Sequence, residues 1–342
     1  MPFTQLTQYT SNTIGSPPLN GRSGSLINVL DFCLVSGSGW AKTFNSASST
    51  DGANVFAAYR PPSGSRMTLF VNDSGANQTI RAGEAWIMGY ENFQGLGEPA
   101  GGDVTSSIGS GSGQFPLTAQ SSTGHLAVRK SSGAGTSPWL ERPWYLFADA
   151  YTMYMFPSSE GNTTLYFMWG FGDIFSLKGT DDVFRCMIFG READNSTTMG
   201  GGSIDNSDTV CGMSITANNS RGSYLVRTSA GIQTPVIFNR HGNISWNTSA
   251  TSTVAVGTLY PPNIADGSFF LAPIHISENL SQFMRGRLRG LYYVGHPFTS
   301  FVDGQTFQGI NDYAGKTFQI ITPSASGTAY YCIEISNTVE AN

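Results

Sequence analysis

The chain has 342 residues, long enough for a sizeable core and for one, two or three domains. Only 12% of residues are charged while 12% are aromatic and 39% hydrophobic, which excludes a disordered chain and argues against a helix-rich one. The net charge of -5, from 18 basic and 23 acidic residues, provides no basic field for a phosphate backbone, so nucleic acid is not an expected partner.

The N-terminus, MPFTQLTQYTSNTIGSPP, has no basic n-region and no apolar h-region, so a signal peptide is not expected. No run of 18 apolar residues exists, so no membrane insertion is expected. Residues 1–24, with Gly15, Pro17, Pro18 and Gly21, read as an N-terminal arm. SLINVLDFCLV follows. A helix over about 25–35 places Leu26, Val29, Leu30 and Cys33 on one face, with Ser25 as its cap and Gly37 and Gly39 beyond its end.

Short aromatic strands come next: 55–60, 66–73 and 84–93, separated by Gly and Pro turns. Residues 94–124 form the longest polar, glycine-rich stretch. A loop of that length favours a domain boundary. The second half opens at 125–130 and continues through 143–149, 151–156, 163–175 and 181–190, the most aromatic part of the chain. Both faces of TMYMF are apolar, so one face builds a core and the other packs on a second sheet or another subunit. After a second polar stretch, 191–208, strands recur in GMSIT, SYLVRT, PVIFN, STVAVGTLY and SFFLAPIHI, and then at 285–294, 316–322 and 329–335. The expectation is a mainly β protein of antiparallel sandwich or barrel-like domains with few short helices. The division is an arm (1–24), a β domain with a short N-terminal helix (25–120), and a second, aromatic-rich β domain (121–342) with a sub-boundary near 280. The strand triplets at 55–93 and 143–175 also follow one order, a hint of duplication.

The search for chemistry returns little. Cys33, Cys186, Cys211 and Cys332 stand far apart, three of them in apolar runs, which reads as buried small hydrophobes rather than disulfides. His125, His241, His275 and His296 form no metal-ligand spacing and read as structural. The Asn-x-Ser/Thr triplets, such as those at Asn77, Asn162, Asn195, Asn243, Asn247 and Asn279, carry little weight without a secretion signal. No phosphate loop and no nucleophile elbow appears. Asp149, Asp173, Asp181 and Asp182 lie near aromatic residues, and a glycosidase needs two carboxylates across a cleft. Their other reading is turn carboxylates, and no calcium-loop spacing accompanies them. Arg285, Arg287 and Arg289 alternate onto one face of an extended segment, either a solvated face with intrachain salt bridges or a charged rim at a subunit contact. No catalytic, cofactor or metal residue is assigned and no cofactor is expected. The candidate interface residues are Trp144, Tyr151, Tyr154, Trp169, Phe171, Arg285, Arg287 and Arg289.

Several segments together resemble a family: LDFCLVSGSGWAKTF, RMTLFVND, YENF, PWYLFAD, WGFGDIFSLK, RLRGLYYVGHPF, DGQTF and YAGKTFQII. The pattern is similar to that of an uncharacterised family of structural proteins from tailed-bacteriophage virions. It covers most of residues 25–335, with 94–124 and 191–250 poorly matched, and its motifs are not catalytic. The resemblance implies a non-enzymatic tail or baseplate protein, assembled in the host bacterial cytoplasm into the virion. It would contact other phage structural proteins and copies of itself in a symmetric assembly. The alternatives are a carbohydrate-binding or polysaccharide-degrading host-recognition protein of the tail, a capsid decoration or collar protein, and a secreted lectin-like protein. A host glycan is admitted as a partner, but nothing in the sequence points to it.

Overall fold

A computed structural model of the chain describes residues 5–47, 54–74, 83–97, 109–117, 124–130, 140–158, 168–192, 222–231, 234–239, 268–278, 283–294, 302–321 and 330–335. The first part holds β1 (Thr7–Thr10), helix α1 (Ser25–Leu30), β2 (Ala41–Ala47), β3 (Asn54–Arg60), β4 (Thr68–Asn72) and β5 (Glu84–Tyr90). Next come β6 (Asn92–Leu96), β7 (Gly109–Ser112), β8 (Leu126–Arg129), β9 (Trp144–Ala148), β10 (Thr152–Pro157), β11 (Trp169–Asp173) and β12 (Phe175–Ser176). The remainder is β13 (Cys186–Phe189), β14 (Arg191–Glu192), β15 (Ser223–Leu225), β16 (Thr234–Asn239), β17 (Leu271–Glu278), β18 (Met284–Val294), β19 (Thr306–Gln308), β20 (Thr317–Ile321) and β21 (Tyr330–Ile335). The protein is mainly β, as its alternating aromatic runs predict.

The strands form a large antiparallel sheet in the order β1-β9-β10-β11-β13-β15-β16-β17-β18-β21-β20-β19, with β12 added on β18. A six-stranded sheet runs β14-β8-β5-β4-β3-β2, and β6 and β7 form a hairpin. The two larger sheets pack face to face. From the large sheet, Trp144, Leu146, Met153, Met155, Trp169 and Phe171 meet Ala57, Tyr59, Leu69, Val71, Ile87 and Leu126 of the smaller one in one buried core. The opposite side of the large sheet is apolar too. Phe147, Tyr154 and Phe156 share a second core with Ile276, Leu288, Leu291 and Ile333 from its far strands, so the sheet curls over itself. Leu6, just before β1, forms a parallel bridge to Ile335 of β21 and sits in that core.

This arrangement bears on three expectations. Over its described residues, 5–24, the N-terminal arm is ordered by what it touches: β1 pairs with β9 from Thr7↔Ala148 to Thr10↔Tyr145, and Leu19 lies in the first core. The boundary near 120 does not separate two cores, because the first core draws on both sides of it. Phe115, inside the glycine-rich stretch, exchanges backbone hydrogen bonds with Gly89 at 2.8 and 2.9 Å and stacks on Phe171 at 6.2 Å. Third, the helix begins at Ser25 as expected, but Ser25 is not its cap. Gly24, at φ +80°, takes the cap position, and the Ser25 hydroxyl donates to the Asn20 carbonyl. The free N–H groups of Leu26 and Ile27 donate instead to the Asp73 carboxylate at 2.8 and 3.1 Å. The helix widens into a π-helical segment, Asp31–Gly37, and ends at Gly37, as the glycine pattern predicts. The strand triplets β3-β4-β5 and β9-β10-β11 are both antiparallel meanders and lie in the facing sheets.

Outside the described residues lie Cys211, His241, His296, Tyr166, Phe167, GMSIT, STVAVGTLY and the Asn-x-Ser/Thr triplets at Asn77, Asn162, Asn195, Asn243, Asn247 and Asn279. No helix of the described residues is long and apolar enough to cross a membrane.

Candidate functional site

The strongest concentration of ionic and aromatic side chains lies on the outer face of β18. Alternation along this strand sends Leu288 into the curled core and Arg285, Arg287 and Arg289 to the other side. Strand β12 pairs antiparallel alongside β18, setting Phe175 opposite Arg287 and Ser176 opposite Gly286. The 149–151 turn and the turn following β12 complete the surroundings.

Arg285 is the centre. Its Nε and Nη2 donate to the two Asp182 carboxylate oxygens at 2.8 and 2.5 Å, and its Nη1 donates to Glu278 Oε1 at 2.7 Å. The Arg285 side chain is 4% exposed and both acids are 2% exposed. The acids are fixed in turn. The Ser176 hydroxyl and the Phe184 N–H donate to Asp182, and the Ser229 N–H donates to Glu278 at 2.7 Å. A bidentate guanidinium fork held by oriented carboxylates is a rigid unit.

Arg289 makes a second unit. Its Nη2 donates to Asp149 Oδ2 at 3.1 Å, and its guanidinium lies 4.3 Å from the Tyr151 ring centre and 4.4 Å from that of Phe175. Asp149 Oδ1 accepts the N–H groups of Tyr151 and Thr152 at 2.7 and 2.8 Å, an Asx turn, while its carbonyl accepts Trp40 Nε1 at 2.8 Å. The Arg289 N–H donates to the Tyr154 hydroxyl at 3.1 Å, and burial pushes that phenol's pKa up. Arg287 lies over Phe175 at 5.3 Å. A third unit stands nearby: Arg185 Nε donates to Asp173 at 2.7 Å, and Ser65 donates to both oxygens of that carboxylate through its N–H and its hydroxyl.

This geometry bears on the chemistry considered for the carboxylates. Asp149, Asp173 and Asp182 each hold an arginine and accept further hydrogen bonds, so that both oxygens of each carboxylate have a donor. They are the turn and ion-pair carboxylates of the simpler reading; only Asp181 is exposed. Among the described residues no group of three or more His, Cys, Asp or Glu is placed to hold a metal. Cys33, Cys186 and Cys332 are free and buried, and burial holds their thiols well above the usual range. His125 is buried and stacked 3.8 Å from Trp86, and His275 is half-buried.

The interface expected at the aromatic segment needs correction. Trp144, Tyr154, Trp169 and Phe171 are at most 1% exposed and are covered by the chain's own sheets. Of the aromatic candidates only Tyr151 reaches the surface, half-buried against Arg289. Arg285 is buried, and Arg287 and Arg289 are half-buried among aromatic rings. The structure does bring the arginine stripe together with Tyr151 and Tyr154, while Trp144, Trp169 and Phe171 point away into the other core. Sequence reading missed Glu278 and Arg185 as members. A count offered a signal, because three arginines on one strand face call for nearby acids. It also missed the wholly buried pair of Lys130 and Asp73, which fixes α1 on β4.

Beside the cluster four large apolar side chains are exposed along with Lys178, Thr180 and Asp181. Leu177 is 71% exposed, Phe283 66%, Val183 60% and Met284 50%. In comparisons with known proteins, no family model matches the chain and no curated protein matches it.

Proposed function

We propose that the protein is a non-enzymatic structural component of a tailed-phage virion, placed in the tail or baseplate and working through protein–protein contacts. One observation carries the non-catalytic part of this reading. The described acids and bases of the best candidate site neutralise one another inside the chain, while the adjoining surface presents large apolar side chains. A catalytic carboxylate has to keep an oxygen for substrate. A scaffold gains instead from locking its charges internally and leaving apolar surface for a neighbour. The virion assignment is supported by the resemblance of its sequence segments. The segments that carry it supply the π-helical segment with Trp40, the strands β9, β11 and β12, and β18 from Arg287 onward, which contribute Asp149, Asp173, Phe175, Arg287 and Arg289 to the cluster.

Mass spectrometry of purified virions, with antibody labelling in the electron microscope, tests the reading. The expected result is the chain in the particle, labelled at the tail or baseplate. Labelling on the collar or capsid surface would move it to a decoration or collar role, and absence from virions would end the assignment. Tight, specific binding on a glycan array, or hydrolysis of host surface polysaccharide, would replace it with the host-recognition reading.

A further inference from the structure

The large sheet ends at β19, and the backbone of that strand is open on its outer side. Its ladder with β20 runs without a shift, Thr306↔Gln319, Phe307↔Phe318 and Gln308↔Thr317. The Gln305 carbonyl accepts the Ile320 N–H and the Gly309 N–H donates to the Lys316 carbonyl, each at 2.8 Å. Inward bonding therefore falls on residues 305, 307 and 309, and alternation turns the N–H and C=O groups of Thr306 and Gln308 away from the sheet. Both residues are exposed. The strand is held from behind: Phe307 stacks on Phe318 at 5.5 Å and meets Phe269 edge-on at 5.0 Å, and the Gln308 amide donates to the Thr317 hydroxyl at 3.0 Å.

The other ends of the two larger sheets are blunted. β2 carries Lys42 and two register shifts, and β14 is the charged pair Arg191–Glu192. β1 is half-buried throughout, and Leu6 just before it is bridged to β21. β19 has neither charge nor shift: residues 304–311, GQTFQGIN, hold no ionisable side chain. An edge of alternating main-chain donors and acceptors is satisfied by another extended backbone, so the chemistry of this edge calls for a strand.

We infer that the occupant is β19 of a second copy, paired antiparallel across a two-fold axis at Phe307. The axis sets Thr306 of each copy opposite Gln308 of the other, and each pair exchanges both of its N–H···O bonds. Phe307, half-buried in the single chain, becomes the directly opposed pair at the axis. A two-fold axis brings the side chains around it close to their own copies, so self-pairing needs an edge without charge, which β19 offers and β2 and β14 do not. Only two residues of each strand supply the outward bonds, so the contact is a weak one that forms as concentration rises. The inference goes beyond the assembly reading and does not depend on the phage assignment.

Sedimentation equilibrium of the purified full-length chain tests it. The wild type is expected to dimerise with increasing concentration. Thr306→Pro removes an N–H that the fold leaves unused, and is expected to weaken self-association about tenfold or more with unchanged circular dichroism. Where the proline disturbs the fold, the double variant Thr306→Lys, Gln308→Lys decides; both positions are exposed, and lysine is then set opposite lysine, with the same expected loss. Mild oxidation of a mixture of Thr306→Cys chains and Gln308→Cys chains is expected to link the two positions, as peptide mass spectrometry will show, and to do so faster than either variant links to itself. A wild type that stays monomeric at high concentration overturns the inference. So does a dimer indifferent to the lysine pair, or a cysteine mixture that links no faster than the single variants. A dimer with this signature in a chain absent from virions would leave the inference standing and remove only the phage assignment.

Discussion

Replacing Arg285 with Met removes the one cation between two acids. The side chain is 4% exposed, and Asp182 and Glu278 are each 2% exposed, so water cannot take the guanidinium's place. Breaking a buried ion pair by deleting one partner costs about 3–5 kcal/mol. Two carboxylates share this arginine, so that range is a floor for Arg285→Met. The protein's whole stability is on the order of 5–15 kcal/mol, so the loss brings the variant near its unfolding threshold. Arg285→Lys keeps the charge but loses the fork and cannot hold both acids, for an intermediate loss of about 1–2 kcal/mol. Arg289→Met is the control. Its ion pair has one contact at 3.1 Å, with side chains 12% and 13% exposed, and its loss with the ring stacking is about 1–2 kcal/mol. Urea unfolding at neutral pH, followed by tryptophan fluorescence, reads the series; urea adds no ions to screen the pairs. Replacing Arg285, Asp182 and Glu278 together by apolar residues of similar size should recover most of the deficit. A loss below about 1 kcal/mol for Arg285→Met, or one equal to that of Arg289→Met, would refute the reasoning.

Burial holds the Asp73 carboxyl above its usual range, although Lys130 pulls the other way, so the folded chain keeps this proton to higher pH than the unfolded chain. Its contribution to stability is therefore largest at the acid end and falls as pH rises from about 4 through the folded value. Urea midpoints of wild type minus Asp73→Asn should decrease from about pH 4 to about pH 7, and an increase contradicts the assignment. Gly172 sits at φ +132°, and a Cβ there would lie 2.3 Å from the Tyr151 carbonyl oxygen, so Gly172→Ala should cost about 2 kcal/mol in the same assay. Iodoacetamide on the native chain should leave Cys33, Cys186 and Cys332 unmodified, with all three labelled in urea, as peptide mass spectrometry will show.

Strand positions were readable because alternation is local. β3, β9, β10, β18, β20 and β21 fall within two residues of where apolar and polar positions alternate. The helix was readable from Leu26, Val29, Leu30 and Cys33. Its cap was not, because the capping carboxylate of Asp73 comes from 46 and 47 residues away. The arginine stripe was placed correctly on one strand face. Its environment was not readable, because the acids answering it come from separations of 103 and 140 residues as well as from the near hairpin. The glycine-rich stretch misled for a similar reason. Small polar residues suggest a linker, but Phe115 inside it is pinned in the core by the Gly89 backbone and Phe171.

The aromatic segment shows where composition stops being informative. An apolar strand face has to be covered, but the physics of burial is the same whether the cover is another strand of the chain or another chain. Tyr154 and Phe156 face one core and Met153 and Met155 the other, and both cores are built within one chain. The excess of aromatic residues is therefore accounted for by a sheet buried on both sides, and it carries no information about partners. The same holds for low charge, since the buried acids of this cluster come matched with arginines. What bears on assembly is the apolar surface left over once internal packing is complete. Beside Arg285 that surface is Leu177 and Val183 in the turn after β12, with Phe283 and Met284 at the start of β18. A polar residue at Leu177 or Val183 would cost folding almost nothing, because both positions are exposed. That these positions are apolar, over a platform whose polar groups are already satisfied, is the physical reason to look for a neighbour there rather than at the aromatic strands.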